Sequence, residues 1–196
     1  TLAEQAEPHL RTEAQLVWLE RLDMERGNFR AALNWFSEGT RDIEKGMRLA
    51  GALGWFWNVR GYVSEGRGWL ERALELGKDI HSAARVKALN AAGSLAWAQG
   101  DLTTALNHLE KSIVLARELG PAHTWDLAMA LGSYGNAVMY QKDREALQRV
   151  AEESYALFTR LEDPWGMGLA FLLIGEAHLL EHDYARACSC FEEASV

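Results

Sequence analysis

The residues with the clearest chemical potential are His178, Glu181 and His182, in the order His-Leu-Leu-Glu-His. An H-x-x-E-H sequence can hold zinc between two imidazoles while the carboxylate activates a water. On an unbroken helix the i, i+4 spacing places both rings on one face. The chemistry would be that of a zinc hydrolase. Only three positions carry the match, however, and a third, carboxylate ligand belongs well downstream, whereas the chain ends 14 residues after His182. His178 falls at a core or inter-helix position, and His182-Asp183 falls at a turn. The hydrolase reading is therefore marginal, and no residue is assigned as a metal ligand.

Other reactive side chains give less. Cys188 and Cys190 are one residue apart, too close in a helix to bridge, and helical geometry sends their thiols to different faces, so an apolar, buried use is expected. Glu152-Glu153 and Glu192-Glu193 are adjacent and diverge, which suits a solvated face better than an acid and base pair. Ser64, Ser94 and Ser133 lack a G-x-S-x-G setting. No G-x-x-x-x-G-K-[ST] segment occurs, so a P-loop is absent from these residues. The sequence specifies no catalysis and no cofactor.

The elements that would position such residues are set by a repeat. Gly54, Gly93, Gly135 and Gly175 each sit in an apolar helical stretch and recur at intervals of 39, 42 and 40 residues. Twelve residues beyond each come Gly66, Ala105, Leu147 and Ala187, and seven further on Ala73, Ser112, Ser154 and Ala194. A period of this length marks a helical solenoid, in which each helix pair stacks on the next. Helices approach closely only where bulky side chains are missing, and a helical glycine costs about 1 kcal/mol against alanine, so its recurrence implies a packing gain.

Punctuation gives the helices. Asp42 to about Gly61 pairs with Val63 to about Gly77, and Ser82–Gln99 pairs with 101–119. The third pair covers 124–141 and 143–161, and the fourth runs from Trp165 to Glu181 and from Asp183 onward. Gly100-Asp101, Gly120-Pro121 and Asp163-Pro164 mark boundaries, and Asp101, Asp143 and Asp183 stand where an acidic cap satisfies free amides and complements the helix dipole. The expected fold is all-α, a right-handed superhelical solenoid of antiparallel helix pairs with a period of about 40. Residues 1–40 form connector helices that cap an array spanning 41–196, with repeats at about 42–80, 81–120, 121–162 and 163–196.

Composition narrows the function. The chain has 196 residues, 48% of them hydrophobic, and a formal charge of -8 that opposes a phosphate backbone, so no direct nucleic-acid contact is expected. Its longest apolar run, Gly166 to Gly175, falls short of the roughly 20 residues a spanning helix needs, and no signal peptide opens the chain, so a cytoplasmic protein without a membrane contact is expected. Placing each first helix by its glycine turns Arg48, Trp55 and Asn58 into a concave groove, followed by Lys87, Asn90, Ser94 and Trp97, then Met129, Asn136 and Met139, and finally Leu172, Glu176 and Leu179. Amides that donate and accept, aromatic walls and adaptable methionines suit a peptide, a small inducer or a protein partner. The same positions also fit plain solvent contact or inter-helix packing, and Arg48 and Lys87 fit solvated cations as well as an anion site. Trp69 is expected between repeats, Trp18 and Trp35 at the N-terminal seal, and Trp125 and Trp165 at packed edges.

These residues resemble the tetratricopeptide repeat: a small residue midway along the first helix, an early alanine in the second, then an aromatic or leucine and another small residue, as in Gly175, Ala187, Phe191 and Ala194, or Gly93, Ala105, Leu109 and Ser112. Gly66 and Leu147 replace the usual alanine, and the longer period reflects longer helices. The opening stretch, Glu7-Pro8-His9-Leu10-Arg11, Trp18-Leu19-Glu20-Arg21-Leu22 and Asn28-Phe29-Arg30-Ala31-Ala32-Leu33, is similar to the connector before the repeats of bacterial signal-transduction ATPases, the LuxR-type and AfsR-like multidomain transcriptional regulators. That resemblance implies a ligand-sensing and protein-interaction arm belonging to a longer chain, with the other domains of that parent among its partners. Thr1 in place of an initiator methionine, and a last helix ending early at Val196, suit a fragment with an exposed apolar end and possible self-association. The alternative is a stand-alone scaffold or adaptor that binds a protein or peptide segment in the groove.

Overall fold

The computed structural model describes residues 1–38 and 42–194, so the expected boundary at 40/41 and the chain end at Val196 lie outside the described residues. Every regular element among those residues is helical. Eleven α-helices follow in order: α1 (Leu2–Ala6), α2 (Gln15–Met24), α3 (Arg26–Phe36), α4 (Ile43–Val59), α5 (Val63–Leu76), α6 (Ala83–Ala98), α7 (Leu102–Leu119), α8 (Thr124–Met139), α9 (Arg144–Arg160), α10 (Pro164–Leu180) and α11 (Tyr184–Glu193). Short 3-10 turns occupy Glu7–His9 and Pro121–His123. The helices form two compact units, Thr1–Asp101 and Leu102–Val196.

The punctuation acts as its chemistry requires. The carboxylates of Asp42, Asp143, Asp163 and Asp183 accept from the backbone amides of Lys45, Ala146, Gly166 and Arg186, each satisfying a first-turn donor that the helix itself cannot. Gly100 and Gly120 end their helices at φ values of +77° and +88°, a left-handed conformation that glycine adopts without a Cβ clash. Pro164 opens α10 and Pro121 opens the 3-10 turn, positions whose missing amide hydrogens no helix needs.

In the first unit α4 is central, packing on α5 and α6, while α1 and α3 also lie against it. Its buried side chains Met47, Leu53, Phe56 and Trp57 supply the core; each fully buried apolar group contributes roughly 1.5–3 kcal/mol. Close approach explains two of the glycines. A Cβ on Gly54 would stand 2.5 Å from the Cβ of Ala91 on α6, and one on Gly66 of α5 would meet the Trp57 ring at 2.7 Å. Gly54 thus admits the first helix of the following pair. Arg30 and Arg26 of α3 pair with Glu65 of α5 at 2.6 and 3.3 Å, and Arg60 pairs with Asp23 of α2 at 2.7 Å, which fastens the connector helices to the repeat. Arg30 first, then Arg26, holds the Glu65 carboxyl below its ordinary value although partial burial opposes this.

In the second unit α8 packs on α7, α9 and α10, and α10 in turn on α9 and α11. One apolar cluster joins Val138, Leu147, Ala151, Leu173 and Ala177, and another joins Ile113, Ala130, Leu131 and Val150. Here the period's glycines serve both neighbours: a Cβ on Gly135 would meet Leu173 of α10 at 2.9 Å, and one on Gly175 would meet the Phe191 ring of α11 at 2.5 Å. The small residue Ser154 is fully buried, and its hydroxyl donates 2.9 Å to the Ala128 carbonyl across α9 and α8.

Candidate functional site

Arg48, Trp55 and Asn58 lie on α4, and Lys87, Asn90, Ser94 and Trp97 on α6. Arg48 and Trp55 are seven residues apart and so share a helix face; Asn90, Ser94 and Trp97 continue the stripe that Lys87 starts. The two helices touch at this level, since a Cβ on Gly51 would sit 3.0 Å from the Lys87 Cβ. Missing bulk on α4 therefore brings the lysine stem of α6 beside the Arg48 and Trp55 stripe.

This face already holds a segment of the same chain. Glu4 of α1 accepts from Arg48 Nε at 2.9 Å and from Nη2 at 2.5 Å. Glu7 accepts from Lys87 Nζ at 2.8 and 3.0 Å. The Arg11 guanidinium lies 5.0 Å above the Trp55 ring, within cation–π range. Ala3, Ala6 and Leu10 of the same segment are 0% exposed, and α1 packs on α4 and α2. Residues 1–11 thus lie on the stripe through two ion pairs, a stacked cation and a small apolar edge.

Sequence reasoning expected Arg48, Trp55 and Lys87 to line a groove for a ligand or partner and did not foresee that Glu4, Arg11 and Glu7 of the same chain meet them. Glu4, Glu7 and Arg11 had a signal: Ala3, Ala6 and Leu10 recur at helical spacing with the carboxylates alongside. A stretch of five helical residues is too short for periodicity alone to single it out.

In the second unit Met129 and Asn136 of α8 and Glu176 and Leu179 of α10 are half-buried, while Leu172 is exposed. Met139 packs against the Val138–Leu173 cluster, so part of its surface already belongs to the core. Tyr134 of α8 donates its hydroxyl to Glu110 of α7 at 3.0 Å, and burial together with that carboxylate pushes its ionisation up.

The H-x-x-E-H triplet does not assemble on one helix face. α10 ends at Leu180, Glu181 is its C-cap, and His182 turns left-handed at φ +60°. His182 Nδ1 then lies 3.2 Å from the Tyr184 hydroxyl, whereas His178 Nδ1 stays 3.6 Å from Glu181. Among the described residues no three His, Cys, Asp or Glu side chains converge as a metal site. The helix C-terminus thus removes the one-face geometry that the i, i+4 spacing offered.

Two further expectations change. Cys188 is exposed and only Cys190 is half-buried, because α11 turns the first thiol outward; burial pushes the Cys190 thiol up. Trp35 is 51% exposed, with Phe36 at its edge, so it does not seal the connector. Trp18 instead stacks on His9 at 4.9 Å under the Arg21 guanidinium.

Solved structures share this arrangement of helices. The chain is similar to BtubC (BKLC) from P. vanneervenii, with a TM-score of 0.72 and 16% identity over 98% of this chain and 85% of that one. It is also similar to a putative kinesin light chain of Podosopora anserina with nearly identical TPR-like repeats, at a TM-score of 0.65 and 13% identity over 98% and 92% of the two chains. A point variant of that protein gives 0.67 and 12% over 98% and 91%. The fold is a tetratricopeptide-like α-solenoid of helix pairs. No family model matches the sequence, and no curated protein matches it. Among the described residues no helix is long and apolar enough to cross a membrane.

Proposed function

We propose that the chain is a non-catalytic protein-interaction scaffold that holds a segment of a partner on the face formed by its first helices. One observation carries this reading: the stripe of Arg48, Trp55 and Lys87 engages a short helical segment through carboxylates and a stacked cation. Tetratricopeptide-like geometry repeats such stripes: Asn58, Asn90, Ser94 and Trp97 extend the candidate surface of the first unit, and Met129, Asn136 and Glu176 offer a candidate surface within the second. The test is selection of helical peptides on the complete chain, with photo-crosslinkers introduced at Asn58 and at Asn136 to locate them. Crosslinks at either position support the scaffold; peptides that bind without labelling either face would overturn it.

A second, finer reading is the sensing arm of an ATP-dependent transcriptional regulator, within which residues 1–40 are the connector and the pairs at about 42–80, 81–120, 121–162 and 163–196 are the repeats. The sequence running from Glu7-Pro8 to Leu33 favours it. Native mass spectrometry of the chain incubated with fractionated small molecules tests it. A discrete adduct lost in a Trp97→Ala, Asn136→Ala variant supports sensing, and its absence across the fractions argues for the scaffold alone.

A further inference from the structure

We propose that the solvent-facing side of α2 is a docking surface for a basic amphipathic helix of a partner protein. The surface shares no residue with the α4–α6 stripe and stands whether or not that stripe holds a partner. Leu16, Val17 and Met24 of α2 are 68%, 60% and 77% exposed, a concentration of large apolar surface within one ten-residue helix. Positions 16, 20 and 24 follow one another a turn apart, and 17 lies seven before 24, so Leu16, Val17, Glu20 and Met24 share an arc of about 100°. Leu19 and Leu22 point the other way and are buried. α2 is thus apolar on two sides, and only one of them meets the chain's own core.

The chemistry of the occupant is read from charge. Glu20 stands between Leu16 and Met24 on the exposed arc, and it has no hydrogen bond or ion pair among the described residues. The cations around α2 are committed elsewhere. Arg21 lies 4.2 Å over the Trp18 ring, Arg26 pairs with Glu65 at 3.3 Å, and Arg60 pairs with Asp23 at 2.7 Å. Glu13, exposed in the turn before the helix, adds a second acid. A partner that covers Leu16 and Met24 takes Glu20 out of water with them, and a carboxylate left unpaired in such a contact is strongly unfavourable. A wholly apolar helix therefore fits poorly, and an acidic one worse. A helix with an apolar side chain one turn either side of an arginine or lysine fits, its cation meeting Glu20 while its neighbours cover Leu16 and Met24. The chain's net charge of -8 favours the approach of such a helix. A second copy of the chain brings the same unpaired carboxylate, with its Arg21 held on Trp18, and does not supply the cation. The arc from 16 to 24 is about 12 Å long, so the contact is small and of the transient class.

The probe is a fluorescein-labelled alanine–glutamine helix carrying leucine, arginine and leucine at successive i, i+4 positions, added to the complete chain and followed by fluorescence anisotropy. Saturable binding is expected, and none below about 1 mM would overturn the proposal. Glu20→Arg should weaken binding at least about tenfold, and a peptide with glutamate in place of its arginine should bind Glu20→Arg as the original binds wild type. A Leu16→Ser, Met24→Ser variant should weaken both pairings. All these side chains face solvent, so the helical circular dichroism of each variant should match that of wild type. Glu118→Arg, a charge reversal on the exposed side of α7, should leave binding unchanged. Loss of binding in Glu118→Arg equal to that in Glu20→Arg would overturn the proposal, by showing diffuse attraction to an acidic chain. Equal affinity of wild type for the arginine and glutamate peptides would do the same, as would binding indifferent to Leu16→Ser, Met24→Ser. A wild-type dimer that Leu16→Ser, Met24→Ser dissolves would also overturn it, by assigning the surface to a second copy.

Discussion

The sharpest prediction concerns two glycines whose replacement by alanine should act in opposite directions. Gly54 and Gly68 both lie inside helices, α4 and α5, where alanine is intrinsically better by about 1 kcal/mol. At Gly68 a Cβ would meet nothing within 4 Å, so Gly68→Ala should stabilise by roughly 0.5–1 kcal/mol. At Gly54 the new carbon would stand 2.5 Å from the Cβ of Ala91, with the Ala91 Cα at 3.4 Å behind it, and neither can swing aside. Parting the helices or bending α4 costs about 1–3 kcal/mol by the usual measure of overpacking, which outweighs the propensity gain by up to about 2 kcal/mol. A Gly54→Ala, Ala91→Gly double variant returns the space, so the two changes should couple by about 1–3 kcal/mol. Helical arrays do not always unfold in one step, so the suitable assay is hydrogen exchange followed by mass spectrometry on peptides from α4 and α6. Protection of α4 should fall in Gly54→Ala and recover in the double variant. Increased protection in Gly54→Ala, or strict additivity in the double variant, would refute the claim that close approach of α6 is the reason for glycine at this position.

Three further outcomes are expected. Ser154→Ala deletes a buried hydroxyl that donates to Ala128 and should lower the stability of the second unit by about 1 kcal/mol in urea melts. Asp163→Ala removes both the cap on Gly166 and the acceptor for the Trp125 indole, 2.9 and 2.8 Å away, and should cost about 1–2 kcal/mol; Asp163→Asn, which keeps one oxygen for the cap, should cost less in the same melts. Glu65 is held below its ordinary value of 4.5, so its ion pairs with Arg30 and Arg26 stabilise the fold fully above that pH and are lost as pH falls through the lowered value. Acid titration of stability should therefore be shallower below pH 4.5 in Glu65→Gln than in wild type; parallel curves would show that the pairs are screened to insignificance.

Much of the helical framework was legible because its signals are local. A carboxylate at Asp143 or Asp183 caps an amide three residues on, and a glycine at 100 or 120 ends a helix through its own φ angle. Neither depends on a distant part of the chain, so spacing alone located α4 to α11 within a few residues. The recurrence of Gly54, Gly135 and Gly175 likewise pointed to close helix approach, yet which helix approaches was decided only in three dimensions: Ala91 of the next first helix for Gly54, and Phe191 of the paired second helix for Gly175. The candidate site shows the same division. Side-chain type and helical phase put Arg48, Trp55 and Lys87 on one stripe. Their partners Glu4 and Glu7 are 44 and 80 residues away in sequence, a separation that no periodicity encodes. Sequence by itself determined the repeating helices, their ends and the residue types on the stripe. Tertiary structure decided that an acidic segment lies across that stripe, and that His182 turns away from His178, because both outcomes depend on where the chain goes after a helix stops.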